Sequence, residues 1–388
     1  MEKRPFIIDC DTGTDDAIAI LAALGSDAIR VRALTSVNGN VNENFTSRNN
    51  RDLVGYLGAD VEVARGAKIP FYPRAGYYDA THGSEGLGDV TLPAAENVPF
   101  TKETAPELIR RIAEEEEGRL ELLVVGPMTN IAIALSMYPE LKEKIRHIWF
   151  MGGAALGGNM TPTAEFNIWV DPVAAKLVIA SGIPMTMVGL DVTLKAALNR
   201  EDEQEIRSFG NKGAVLAADI LDYMIRRYAD GGEDALMHDA LAAAAAVCPQ
   251  CLVCHDYFVD VECQGEYTAG HTMVDRRGRT GKKPNVSVAM ELDAMALPQP
   301  KVLNFTSVMT WVLGSTLIYI RMMSPHLALP TSPMPSAFSI LPTFRGFWKW
   351  SMTLSLYNAI VGSSLSNQMG PPARLQFVPH RGHLPQIR

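Results

Sequence analysis

Pro5-Phe6-Ile7-Ile8-Asp9-Cys10-Asp11-Thr12-Gly13-Thr14-Asp15-Asp16-Ala17-Ile18-Ala19-Ile20-Leu21 joins an uncharged apolar run to a stretch with helical spacing of Ala, Ile and Leu. Residues 5–9 read as a short strand ending in carboxylates, and Asp15 to Leu24 as the helix that follows. The turn between them holds four aspartates within eight residues. Like charges a few ångströms apart repel unless something neutralises them, and a bound cation is the simplest remedy. Ligands that are all oxygen select a hard ion, Ca2+ or Mg2+, and several carboxylates in roomy coordination favour Ca2+. Helix capping by Asp15 and Asp16 accounts for one or two of the four charges, not for all.

The strand-then-helix pattern recurs outward from this turn. Val31–Val37 precedes Glu43–Leu57, Leu120–Val125 precedes Thr129–Met137, Ile145–Met151 precedes Pro172–Ala180, and Pro184–Val188 runs into Leu190-Asp191. Uncharged strands alternating with amphipathic helices predict an α/β fold whose mainly parallel sheet is covered by helices on both faces. In such Rossmann-like sheets ligands bind beyond the carboxyl ends of the strands. Polar residues gather where these strands end: the aspartates after the first, Asn38 and Asn40 after the second, and Gly152 to Asn167 after Met151. They are expected to converge on one cleft. Between Arg65 and Pro99 lies a long Gly-, Pro- and Tyr-containing loop that carries His82, and a loop of that length in a compact domain is a candidate for function.

Charge divides the chain in two. The first 293 residues hold 28 basic and all 43 acidic residues, a net −15, whereas the last 95 carry seven basic residues, no acidic one and 11 of the 24 prolines. A catalytic domain over 1–293 and an atypical basic, Pro-rich tail over 294–388 are therefore expected. Residues 302–320 are uncharged and long enough to consider as a membrane span. Seven of those nineteen are Asn, Ser, Thr or Gly, so the span is a weak one. No apolar leader precedes the first strand, so cytoplasmic residence is the expectation. An acidic body offers no footprint for nucleic acid. Cys248, Cys251, Cys254 and His255, with Cys263 nearby, have metal-like spacing without a second Cys-x-x-Cys pair, and reduced thiols are the expectation. Glu114–Glu117 reads as a solvated helix end.

Two further segments carry chemistry. In Met237-His238-Asp239, which precedes the alanine-rich helix Ala240–Val247, adjacency lets Asp239 complete a metal site while His238 stands at the cleft as a proton donor. Asn159 and Ala164-Glu165-Phe166-Asn167-Ile168-Trp169-Val170-Asp171 interleave amides and a carboxylate with aromatic rings. That mixture suits a polyhydroxylated ligand, whose hydroxyls need donors and acceptors. Asp171-Pro172 reads as a helix N-cap alone.

Asp9-Cys10-Asp11-x-Gly13-x-Asp15-Asp16, Met151-Gly152-Gly153, Glu165-Phe166-Asn167 and His238-Asp239, in this order, resemble the inosine-uridine-preferring nucleoside hydrolase family. Gly126-Pro127-Met128-Thr129-Asn130 and Val188-Gly189-Leu190-Asp191 are similar to further segments of that family. The resemblance spans about residues 5–293. It implies a nucleoside hydrolase-like fold and hydrolysis of the N-glycosidic bond of ribonucleosides to free base and ribose. It also implies a Ca2+ ion held by Asp11, Asp16, Asp239 and the backbone carbonyl of Val125. Asp15, Asn40, Asn159, Glu165 and Asn167 would bond the sugar, Met151 would pack near the ribose and His82 near the base. Asp11 would act as the base on water and His238 as the acid on the leaving group, in a homodimer or homotetramer.

A strand ending in Asp-x-Asp also resembles the haloacid-dehalogenase phosphatases, a reading that Asp15-Asp16 and the distant His238-Asp239 fit poorly. A nucleoside-binding homologue without turnover is the non-enzymatic alternative. The sequence does not rank purine against pyrimidine nucleosides.

Overall fold

The apolar run quoted above is β1 (Arg4–Cys10), buried on both faces from Pro5 onward, and α1 (Thr14–Gly25) follows the aspartate turn. The structure, a computed structural model, describes residues 2–72, 81–229 and 234–292. The tail 294–388, with its candidate span 302–320, lies outside the described residues, as does part of the long loop, 73–80.

Alternation continues with β2 (Ile29–Ser36), α2 (Glu43–Leu57), β3 (Glu62–Ala64), α3 (Ala105–Glu115), β4 (Leu120–Val124), α4 (Thr129–Met137), the single turn α5 (Leu141–Lys144) and β5 (Ile145–Met151). Then come α6 (Phe166–Val170), α7 (Pro172–Ile179), β6 (Met185–Val188) and α8 (Leu190–Thr193). The remainder is β7 (Ala197–Leu198), α9 (Arg200–Ser208), α10 (Lys212–Ala229), β8 (Ala235–Leu236), α11 (His238–Val247), β9 (Leu252–Tyr257), β10 (Val259–Val261), β11 (Thr272–Val274) and β12 (Val286–Leu292).

Eight strands form the central sheet in the order β3-β2-β1-β4-β5-β6-β12-β9, parallel except for the β12–β9 pair. β1 pairs with β2 on one side and β4 on the other, so strand order reverses beside it, and the crevice at that switch point is where such a sheet binds its ligand. Side chains alternate across the sheet: Phe6, Ile8 and Cys10 enter the core under α1, α10 and α11, while Ile7 enters the core under α3, α4 and α7. Burial on both faces explains why β1 reads as a continuous apolar run.

Two local expectations are corrected. The alanine-rich helix begins at His238, so His238 and Asp239 occupy its first turn and do not precede it. The Glu114–Glu117 run is not wholly solvated, because Glu116 is buried and paired with Arg30, Arg32 and Arg119. Charged partners from β2 make that burial tolerable.

Candidate active site

The turn between β1 and α1 places its carboxylates at the switch point. Asp15, Asp16 and Asp239 bring ligand oxygens within 4.8 Å of one another, all three buried. Asp239 arrives from the first turn of α11, where its backbone N–H donates to Asp15 Oδ2 at 3.3 Å. Asp16 Oδ2 accepts from the Gly13 N–H and the Asn40 amide, both at 2.9 Å, and Asp11 Oδ2 accepts from the Asn40 N–H at 2.6 Å. One oxygen on each of Asp11 and Asp16, Oδ1 in both cases, is buried with no hydrogen-bond partner. Backbone crowds Asp11 from two sides: a Cβ on Gly39 would fall 1.9 Å from Oδ2, and one on Gly126 would fall 2.8 Å from Oδ1. Only glycine lets both loops close on the carboxylate.

Burial, then the charge of Asp16, pushes the Asp11 carboxyl well above the usual range; burial and the charge of Asp15 push Asp16 up to about 7. Asp239 is raised for the same reasons, burial first and then Asp15, Asp16 and Asp11. Among the described residues no Lys or Arg pairs with any of the four. Clustered carboxylates with unpartnered oxygens and no cationic side chain fit a hard divalent ion.

The fourth aspartate of the turn has a different task. Asp9 Oδ1 accepts from Thr35 Oγ1 at 2.5 Å and from the Asn130 amide at 2.7 Å, and the same amide donates to the Ser36 carbonyl at 2.8 Å. Asp9 thus ties the ends of β1 and β2 to α4.

Above the aspartates opens a cavity of about 260 Å³, lined by Asp15, Asn40, His82, Val125, Met151, Asn159, Glu165, Asn167, His238 and Asp239 among others. Every site residue expected from the sequence reaches this wall except Asp11 and Asp16, which are fully buried. Glu165 caps α6: its carboxylate accepts from the N–H groups of Asn167 at 3.0 Å, Gly153 at 2.9 Å and Ile168 at 3.3 Å, and burial holds it up at about 7. The Asn167 amide donates to the Val125 carbonyl at 2.9 Å and to the Met151 carbonyl at 3.2 Å, binding the ends of β4 and β5 together. A carbonyl has a second lone pair, so this bond leaves Val125 able to serve a cation as well. Asn159 Oδ1 accepts from the Phe166 N–H at 2.9 Å.

Two histidines face the cavity. His82 Nδ1 accepts from the Thr14 N–H at 3.1 Å and lies 2.9 Å from its hydroxyl, which seats the ring on the start of α1. His238 is half-buried with Nδ1 2.8 Å from Thr193 Oγ1; burial lowers its affinity for a proton, and the charge of Asp15 opposes that. The outer wall adds Thr81, Met224, Arg227 and Tyr228, with Arg227 donating to Thr81 Oγ1 at 2.9 Å. The sequence did not single these out, since Thr81 lies in the long loop and α10, which carries the other three, reads only as an amphipathic helix. Asp171 does more than cap α7: besides the Ala174 N–H it accepts from Thr129 Oγ1 at 2.7 Å and the Phe71 N–H at 2.8 Å. Among the described residues no metal-holding group includes Cys248, Cys251, Cys254 or Cys263, and none of the four is in a disulfide.

A doubly covered, mainly parallel sheet with a carboxylate-floored cavity and a histidine in the cavity wall defines an α/β protein with a ligand site equipped for acid–base chemistry. The model of the inosine-uridine preferring nucleoside hydrolases matches residues 6–299. The pyrimidine-specific ribonucleoside hydrolase RihA of Citrobacter koseri is 41% identical over 293 residues, 74% of this chain and 94% of that protein. Among solved structures, a purine-preferring ribonucleoside hydrolase from Gardnerella vaginalis aligns with TM-score 0.71 at 30% identity, covering 82% of this chain and 98% of the other. A plant nucleoside hydrolase, PpNRh1, aligns with TM-score 0.72 at 25% identity, covering 84% and 100%. The chain belongs to the inosine-uridine preferring nucleoside hydrolase family and is an enzyme of that ribonucleoside hydrolase class. The phosphatase reading is displaced.

Proposed function

We propose that the chain hydrolyses the N-glycosidic bond of ribonucleosides with Asp11 as base and His238 as acid, over a Ca2+ site formed by Asp11, Asp16, Asp239 and the Val125 carbonyl. One observation carries it: Asp16 and Asp239 bring carboxylate oxygens within 4.8 Å of each other beneath a polar cavity that has a histidine in its wall, and Asp11 and Asp16 each keep a buried oxygen without a partner. When bound, the ion would orient the ribose diol and make water a better nucleophile.

The side chains supply the rest. Departure of the base leaves an oxocarbenium-like ribosyl cation, which the negative charge of the aspartates stabilises more than it stabilises the neutral substrate. Water adds to C1′ as the C1′–N bond breaks. Asp11 takes the proton from water, the bonding pair passes to the base, and His238 Nε2 gives its proton to a ring nitrogen of that base. Asp15, Asn40, Asn159, Glu165 and Asn167 bond the sugar hydroxyls; Asn159, Glu165 and Asn167 are already braced by backbone and Asn40 by Asp16, so they are held ready for binding. Met151 packs on the ribose, and His82 stands on the base side. A site that bonds hydroxyls rejects the deoxy analogue, because buried polar groups would be left unpaired.

Relatives include both pyrimidine-specific and purine-preferring enzymes, so the test is a panel of uridine, cytidine, inosine, adenosine and 2′-deoxyuridine with the purified chain, with and without chelator. Free base and ribose should appear from at least one ribonucleoside, fall on chelation and return with calcium. Asp11→Ala should lower kcat by at least about 1000-fold, the loss of a base and a metal ligand together. No base release from any ribonucleoside with calcium restored would leave nucleoside binding without turnover as the function. Residence in the cytoplasm and assembly as a homodimer or homotetramer complete the proposal.

A further inference from the structure

We infer that Thr193 is the positioning residue for His238: its hydroxyl holds Nδ1 and so aims Nε2 into the cavity. The inference rests on the reading of His238 as the acid. Thr193 is fully buried at the end of α8, with its Oγ1 2.8 Å from Nδ1 of His238. α8 is itself anchored, because the Leu190 N–H donates to the Gly153 carbonyl at 2.9 Å and the Thr193 N–H to that of Gly189 at 3.1 Å.

A second observation makes the contact a built one. Just after Thr193 the chain forms β7, and just before His238 it forms β8. These two-residue strands pair antiparallel, Ala197 with Leu236 and Leu198 with Ala235. The Met237 N–H adds a bond of 2.7 Å to the Ala196 carbonyl. A ribbon too short to stand alone therefore clamps the two side chains into register. Without it the residues are 45 apart in sequence.

A hydroxyl is the suitable partner chemically. It accepts from Nδ1–H and also donates to a bare Nδ1, whereas a carbonyl serves only the first state and a carboxylate adds charge. During base departure the proton on Nε2 moves to the leaving nitrogen. The ring keeps its Nδ1–H, which still donates to Thr193 Oγ1, so its direction is preserved through the transfer.

The experiment compares Thr193→Val, Thr193→Ser and His238→Ala on a natural ribonucleoside that the enzyme cleaves and on p-nitrophenyl riboside, whose leaving group needs no acid. Thr193→Val should lower kcat on the nucleoside by about 10- to 100-fold with KM nearly unchanged, spare p-nitrophenyl riboside, and be rescued by Thr193→Ser. Should Thr193→Val not fold, Thr193→Ala removes the same hydroxyl at smaller volume and carries the same test. Equal losses on both substrates, or no loss on the nucleoside, overturn the inference. His238→Ala separates the two levels: if it is selective for the nucleoside while Thr193→Val is not, only the positioning role falls. If His238→Ala is itself unselective, the acid assignment falls and takes Thr193 with it.

Discussion

Asp11 and Asp16 each keep one buried oxygen without a partner, and that imbalance has a measurable consequence. Without a cation, the folded state holds Asp16, Asp9 and Glu165 up at about 7 through burial, against ordinary values of 3.8 for the aspartates and 4.5 for the glutamate. Each binds its proton more tightly folded than unfolded. Their contribution to stability is therefore complete below about pH 4 and is lost as pH rises through about 7. Calcium reverses the sign for the cluster it neutralises. At pH 8 the chelated protein should melt about 5–10 °C below the calcium-saturated one, and the gap should narrow towards pH 5. Melting curves across pH check this, and a gap independent of pH would detach the carboxylates from the ion. Geometry at the same spot yields a sharper substitution. A Cβ on Gly39 would fall 1.9 Å from Asp11 Oδ2, so Gly39→Ala should displace either the carboxylate or the Asn40 N–H bonded to it. Loss of about 100-fold in kcat/KM, with weakened calcium binding by titration calorimetry, is the expected outcome. Normal calcium affinity with normal turnover would show that the loop yields freely.

At the scale of elements, α11 is the piece on which the site depends most. It delivers His238 and Asp239 from its first turn, and its Ala242, Ala243, Ala245 and Ala246 are fully buried between α1 and the sheet. Small side chains let the helix come close enough for Asp239 to meet Asp15 and Asp16. Ala243→Leu should overpack that contact at a cost of about 1–3 kcal/mol, whereas Ala244→Leu at a half-buried position should cost less. Chemical denaturation of both variants, read beside calcium affinity, tests the link between packing and site. Equal stability of the two would refute it. Other elements show where sequence is legible. Glu43–Leu57, Thr129–Met137 and Ile145–Met151 stand in the structure with the bounds their periodicity predicts, because apolar spacing and burial obey one rule. The aspartate turn, Asn40, Glu165, Asn167 and His238-Asp239 were legible because costly polar residues stand at strand and helix ends. Thr193, Arg227 and Tyr228 were not, since a threonine or a helical arginine carries no local mark of the partner it meets across the fold. β7 and β8 escaped for a related reason: a ribbon of two residues per strand exists only through its tertiary surroundings. The Glu116 cluster was misread because two of its three arginines, Arg30 and Arg32, come from β2.

For the whole molecule, the charge division near residue 294 and the family match ending at residue 299 point to the same place. The match to RihA takes in 74% of this chain and 94% of that protein. We propose that residues 1–293 are the catalytic unit. From the sheet of the described residues we predict that a cut beyond them is tolerated. β12 ends at Leu292 with both its neighbours, β6 and β9, already in place, so a chain ending at residue 299 keeps the sheet intact. Its kcat/KM on the preferred ribonucleoside should stay within about threefold of the full chain, under 1 kcal/mol of transition-state binding. No helix of the described residues is long and apolar enough to cross a membrane. The segment 302–320 is uncharged but polar in seven of nineteen positions, which makes it a weak span. We propose that the tail is not an anchor, and on that reading fractionated cells should show the full and the shortened chains in the same soluble fraction. A full chain recovered with membranes, and released only when 295–388 are removed, would make the tail an anchor. A shortened chain that folds but has lost turnover would place part of the catalytic unit beyond residue 299.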